Sequence, residues 1–293
     1  MKERAYRPEA SRGTGIASGR PLEPLAAFRN TTIHDVHVVD RRIFLARLGK
    51  VTLAVVVLGT AVVACDSDDT DGVSPTAAPA LDGVAWHRVV FGENFVAAYV
   101  LERGGEATLV DTGTGSFSGA GVIEDALDAV GIGWGAVGHV ILTHLHEDHR
   151  GNLPEVMTLA SDATGYAGAA DIPALQLESP RPLTAVGDGG EVFGLEIIET
   201  PGHTPGHISV LDPVGGLLVA GDALNGSGRP GIGSPTAAAA VAGPNPAATR
   251  DLALANESVK KLAGFTFDTI VFGHGKPVEG DADRQVAALA AEL

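Results

Sequence analysis

The chain has 293 residues, 20 basic against 36 acidic side chains, a formal net charge of −16 and one cysteine. Residues 1–64 carry 10 of the basic and 5 of the acidic residues, leaving 10 against 31 from Cys65 onward, a net −21. Such a surface repels phosphate backbones and counts against nucleic acid as a partner, while a single cysteine excludes an internal disulfide.

In chain order, residues 1–40 show no hydrophobic periodicity. Asp40-Arg41-Arg42-Ile43-Phe44-Leu45 then precedes Val51 to Ala64, fourteen residues without a charge. A bilayer span takes about 20 residues, so this run suits the apolar region of a signal peptide instead. The twin arginines followed by Phe44-Leu45 resemble a signal for export of folded protein. Val62-Val63-Ala64-Cys65 resembles a lipobox, whose cysteine is lipidated and becomes the new N-terminus. Residues 65–82 are acidic, small and proline-containing, with nothing to bury, and read as a flexible tether. The expected organisation is an N-terminal extension and signal peptide over 1–64, the tether over 65–82, and one compact domain over 83–293, exported and anchored by Cys65 at the outer side of the cell membrane.

Within that domain the spacing predicts a helix over Gly119 to Val130 and a short buried strand over Val140 to Thr143. The run His144-Leu145-His146-Glu147-Asp148-His149 follows on a loop, and Gly151 to Pro154 reads as a turn into a helix. Leu195 to Thr200 alternates as a half-buried strand and stops at Pro201-Gly202-His203-Thr204-Pro205-Gly206-His207. Two further apolar runs, Ile208 to Leu211 and Leu217 to Ala220, are joined by a turn, and the second ends at Gly221-Asp222. The Gly/Pro-rich stretch Asn225 to Pro246 is expected to be unstructured and to form a rim of the substrate cleft. Helices are expected over Pro246 to Leu262 and from Asp283, with a buried strand at Thr269 to Phe272 that leads into Gly273-His274-Gly275. Periodicity alone gives a mixed α/β fold.

Three imidazoles and a carboxylate within six residues point to metal binding. In such a loop His144 and His146 can face one point while Asp148 and His149 face a second. Imidazole with carboxylate suits zinc, with iron and manganese as rivals that ligand type alone does not remove. His203, Asp222 and His274 each leave the carboxyl end of a strand, where further ligands would be supplied.

The order His-x-His-x-Asp-His, His, Asp, His resembles that of the metallo-β-lactamase-fold superfamily, over roughly Val84 to the C-terminus. Tyr99 to Glu102 and Thr108 to Gly113 also look like that family's opening hairpin and aspartate turn. The resemblance implies a four-layer αβ/βα sandwich with the metals at one edge. It implies two zinc ions per chain, one held by His144, His146 and His203, the other by Asp148, His149 and His274, with Asp222 shared. The implied activity is hydrolysis of an ester, lactone, thioester or β-lactam carbonyl of a small molecule by a hydroxide bridging the metals, with Asp148 as ligand and proton shuttle. Asn225 stands where lactonases of the family carry tyrosine, and only 19 residues follow His274, where glyoxalase II-type thioesterases add a helical domain. The alternative of the same fold is a mononuclear iron sulfur dioxygenase. His207 is left out of the ligand set and expected to orient the loop. Asp111 is either a support for the His144 loop or a simple turn cap.

Overall fold

The computed structural model describes residues 82–92, 95–115, 119–228 and 238–293. The twin arginines, the lipobox with Cys65 and the acidic tether up to residue 81 lie outside the described residues. Among those described, no helix is long and apolar enough to cross a membrane.

Six strands form the first sheet in sequence order: β1 (Ala85–Phe91), β2 (Val96–Arg103), β3 (Glu106–Val110), β4 (Val137–Leu142), β5 (Thr164–Gly168) and β6 (Leu183–Val186). The first three are antiparallel; β3 to β6 run parallel. Crossover connections place helices on the outer face, so a central parallel strand is covered on both sides. This explains the unbroken apolar run Val140-Ile141-Leu142, all fully buried.

The second sheet holds β7 (Glu191–Val192), β8 (Leu195–Glu199), β9 (Ile208–Asp212), β10 (Leu217–Val219), β13 (Thr269–Val271) and β14 (Val278–Glu279), in the spatial order β14-β13-β10-β9-β8-β7. A two-stranded ribbon pairs β11 (Asn225–Gly226) with β12 (Val241–Ala242). The ends of the stretch expected to be wholly irregular are therefore fastened to each other.

Three separate apolar cores define four layers. Trp86, Tyr99, Val110 and Ile141 of the first sheet meet Ile197, Val210, Val219 and Val271 of the second. On the outer face of the first sheet lie α1 (Gly121–Ala129) and α3 (Leu153–Leu159), which bury Ile123 and Leu127, and Leu153, Val156 and Met157, at helical spacing. On the outer face of the second lie α5 (Leu252–Leu262) and α6 (Ala282–Ala290), through Val259, Leu262, Ala282 and Val286. The αβ/βα sandwich is the architecture implied by the resemblance.

Helix α5 starts at Leu252 rather than at Pro246. Asp251 is extended, and its carboxylate accepts a hydrogen bond from the Leu254 N–H, capping the helix. The N–H groups of Arg250 and Asp251 meanwhile donate to the carbonyls of His203 and Gly202. Residues 246–250 are thereby tied to the histidine loop and withheld from the helix. A second difference lies in the His144 run, whose later half is the short helix α2 (Glu147–Arg150) and not loop; another short helix, α4 (Ile172–Leu175), follows β5.

Candidate metal centre

Two sheets packed face to face place the carboxyl ends of β4, β8, β10 and β13 at one edge. His144 and His146 follow β4, His203 follows β8, Asp222 follows β10 and His274 follows β13. Backbone contacts across the layers hold these ends in register: Ile208 N–H donates to the Thr143 carbonyl at 2.9 Å, and Ala97 N–H to the Gly273 carbonyl at 2.8 Å. The buried Tyr99 hydroxyl donates to the Phe272 carbonyl at 2.7 Å, two residues before His274. Asp148 and His149 reach the same edge because the His146 carbonyl accepts the N–H groups of His149 and Arg150 and starts a helical turn.

All seven residues named from the sequence converge here. Donor atoms within 4.8 Å of one another form three groups: His144, His146 and His203; His144, His149 and Asp222; Asp148, His149 and His274. His144 thus stands between the two sets of ligands. Asp222 Oδ1 lies 3.4 Å from His149 Nε2, and Oδ2 lies 3.4 Å from His203 Nε2 and 3.5 Å from His274 Nε2. His274 Nε2 is also 3.2 Å from Asp148 Oδ2. Two ligands about 2.0–2.1 Å from one tetrahedral ion sit about 3.3–3.4 Å apart, so these separations fit a metal. The buried atoms His144 Nε2, His149 Nε2 and Asp222 Oδ1 have no hydrogen-bond partner among the described residues. Inward-facing lone pairs without donors are costly unless a cation meets them.

The far nitrogens of four histidines are tied back, which settles the tautomers of His144, His149 and His274. Thr143 Oγ1 donates to Asp111 at 2.8 Å, so it accepts from His144 Nδ1 at 3.0 Å and leaves Nε2 bare. His149 Nδ1 donates to Asp111 Oδ2 at 2.7 Å and His274 Nδ1 to the Phe95 carbonyl, while His203 Nδ1 and Thr249 Oγ1 share a hydrogen bond at 3.3 Å. His146 instead turns Nδ1 inward, 2.9 Å from His203 Nε2.

His207 stays outside the group, with a definite task. Its Nε2 accepts the Asp222 N–H at 3.0 Å, while Nδ1–H donates to Thr200 Oγ1 at 2.8 Å; that hydroxyl continues to Ser209 and on to the Ala220 carbonyl. Asp111 is likewise more than a turn cap, since it accepts from Thr143 N–H, Thr143 Oγ1 and His149. Asn225 Nδ2 donates to the Gly243 carbonyl at 3.1 Å.

One contributor has no motif to announce it. Buried Asp171 accepts from the Leu145 N–H at 3.1 Å, between His144 and His146, from Thr204 Oγ1 at 2.5 Å, just after His203, and from the Gly206 N–H at 2.8 Å. A single carboxylate clamps the two histidine loops together. A side chain at Gly206 would collide with the Asp171 backbone, and one at Gly273 would collide with Asp222 and His149, which explains the glycine at both places.

The electrostatics suit cation binding. Burial, then the neighbouring rings, hold His144 well below the usual histidine range, and burial pushes His203 down to about 4 against the pull of Asp222. His149 is opposed by burial but raised by the facing Asp222 and Asp111 carboxylates. Burial acts to raise Asp148 and Asp222, yet the neighbouring imidazoles prevail, leaving Asp148 at about 2 and Asp222 lower still. Both carboxylates are ionised at neutral pH.

A cavity of about 390 Å³ opens on this group, lined by Leu145, His146, His203, Thr204, Pro205 and residues 247–250.

Comparison with known proteins gives a match of residues 91–274 to the Metallo-beta-lactamase superfamily. The uncharacterized protein YobT of Bacillus subtilis is 31% identical over 227 residues, spanning 70% of this chain and 94% of that protein. A hydroxyacylglutathione hydrolase of Methylobacillus flagellatus is 31% identical over 144 residues, 48% of this chain and only 51% of its own length. Among solved structures, the metallo-beta-lactamase family protein TTHA1429 from Thermus thermophilus superposes with a TM-score of 0.55 at 25% identity, over 72% of this chain and 79% of its own.

Proposed function

This chain belongs to the metallo-beta-lactamase superfamily, and from that premise we propose that it is a hydrolase dependent on two zinc ions that cleaves an ester, lactone, thioester or β-lactam. His144, His146 and His203 would hold one ion, Asp148, His149 and His274 the other, with Asp222 facing both. The observation that carries this reading is the set of buried, partnerless donor atoms aimed at common points while the opposite ring nitrogens are tied back. The donor set has imidazoles and carboxylates without a thiolate, as suits zinc. When bound, such a pair supplies an acidified water and polarises the scissile carbonyl.

The protein's own groups do the rest. Asp222 faces His149 through Oδ1 and both His203 and His274 through Oδ2, so its carboxylate lies against both sets, and its main chain is held by His207. Asp148 is ionised, has a side chain 27% exposed at the site, and engages His274 through Oδ2. Its ionised carboxylate would take a proton from the attacking water and return it to the leaving group. The cleft admits substrate beside His146 and His203, which disfavours a closed, purely structural metal site. The relatedness to a hydroxyacylglutathione hydrolase supports acyl transfer to water in general, over about half that enzyme's length.

Metal analysis of protein purified without added metal tests the reading. Two zinc ions per chain are expected, with turnover of an ester, thioester or β-lactam panel lost on chelation and restored by zinc. One iron per chain without hydrolysis would instead favour the sulfur dioxygenase alternative.

We also propose that the protein works outside the cytoplasm, attached through a lipid on Cys65, a reading supported by the apolar run and lipobox-like residues before that cysteine. Cell fractionation checks it: the wild type should sediment with membranes and Cys65→Ala should appear in the soluble fraction. A wild-type protein found soluble with its N-terminus intact would refute it.

A further inference from the structure

We propose that Arg250 is an anion-binding subsite of the cleft, taking a carboxylate of the substrate, so that the preferred substrates are acyl compounds with a negatively charged group near the scissile carbonyl. The inference rests on the hydrolytic reading above and names the substrate class for it.

Arginine side chains in this fold are otherwise engaged. Arg103 and Arg150 pair with Asp212 and Glu178, Arg181 caps the carbonyls at the end of α3, Arg88 holds the Gly275 carbonyl, and Arg284 pairs with Asp281. The three lysines among the described residues also have partners. Among the described residues, Arg250 is the one basic side chain without an ion pair or hydrogen bond. From Cys65 onward acidic residues outnumber basic ones 31 to 10, so a cation left without a carboxylate is the exception.

Its position is set by the metal centre. The Arg250 N–H donates to the His203 carbonyl at 3.2 Å, the next residue binds the Gly202 carbonyl, and Asp251 caps α5, so the backbone is pinned to the histidine loop. The guanidinium carries no such tie. Leu145, Pro205, Ala247 and Ala248 line the same cavity with small apolar surface, and no aspartate or glutamate is among the lining residues.

The physical contrast lies between the whole domain and this cleft. A net −21 from Cys65 onward disfavours approach of an anion, and exposed carboxylates at the cleft would add to that. Instead the residues lining the cleft include Arg250 and no aspartate or glutamate, and the planar fork of a guanidinium matches a carboxylate with two parallel hydrogen bonds. The apolar lining suits a short hydrocarbon spacer between that carboxylate and the scissile group.

Calorimetry on the protein as purified with its metal uses two ligands of equal carbon number, glutarate and valerate. Glutarate is expected to bind about 10-fold more tightly, since a charge-assisted hydrogen-bonded pair is worth roughly that factor. The preference should vanish in Arg250→Ala and partly return in Arg250→Lys. In parallel, the ratio of KM for monoethyl glutarate to KM for ethyl valerate should rise about 10-fold in Arg250→Ala. Thermal melting of each variant checks the fold, which the exposed, unpaired side chain is not expected to influence. Equal binding of the two ligands by the wild type, or equal weakening of both in Arg250→Ala, would overturn the proposal. If none of the ester, lactone, thioester and β-lactam panel is cleaved but the glutarate preference depends on Arg250, the hydrolytic reading fails and the anion site stands.

Discussion

Asp222→Asn is expected to lower hydrolytic turnover by roughly 1,000-fold or more, about 4 kcal/mol of transition-state stabilisation, and to reduce metal content from two ions toward one. Asparagine fills the same space, and the backbone stays fastened through the His207 ring, so the change removes charge with little else. That charge is the centre of the site. Its two oxygens face His149 on one side and His203 and His274 on the other, at 3.4–3.5 Å, and burial leaves no solvent to replace them. A neutral amide is a weak ligand for either ion and cannot compensate the charge of both. Metal analysis and steady-state kinetics on the same preparation provide the check. A variant that retains two ions and turns over within about 10-fold of the wild type would show that Asp222 is not the shared ligand.

The second large effect is expected at Asp111, which contacts no substrate. Its carboxylate accepts from Thr143 N–H at 2.7 Å, from Thr143 Oγ1 at 2.8 Å and from His149 Nδ1 at 2.7 Å, all buried. Asp111→Ala leaves those donors without an acceptor and places alanine at a φ of 62°, a conformation aspartate and asparagine tolerate better. The expected loss is about 3–5 kcal/mol of stability, as for removal of one member of a buried charged pair. Metal affinity should also fall about 10–100-fold, because His149 and, through Thr143, His144 lose the contacts that orient their rings. Asp111→Asn keeps the backbone preference and one carbonyl acceptor, and should recover part of both. Urea unfolding of the metal-free protein reads the first effect and chelator competition the second. Reduced stability with unaltered metal affinity would assign Asp111 to the fold alone.

The two variants also separate kinds of information in the chain. The seven candidate ligands are visible in the residues themselves, because they follow apolar runs that read as buried strands, with glycine directly before His203, Asp222 and His274. His144, His146, Asp148 and His149 sit together in six residues, and no arrangement of the rest of the fold could separate them far. His207 and Asp111 could be suspected as supports, since both stand at strand ends beside ligands. The helix boundary at Leu252 escaped because periodicity counts apolar positions, while that boundary is set by Asp251 and by carbonyls of a distant loop.

What the residues determined by themselves is therefore the donor chemistry and its order: strands that must be buried, and imidazoles and carboxylates where they end. Only the tertiary structure decided which side chains aim those donors and what surrounds them. Asp171 joins loops 26 and 35 residues away, Thr249 receives His203 across 46, and the Phe95 carbonyl holds His274 across 179. Arg250 reaches the cleft because its backbone is bound to the histidine loop. None of these pairings leaves a periodic or local trace, because they arise from the packing of two sheets whose strands meet far apart in sequence. Local propensity acts over a few residues, whereas a metal site is completed by contacts that exist only once the sheets have closed.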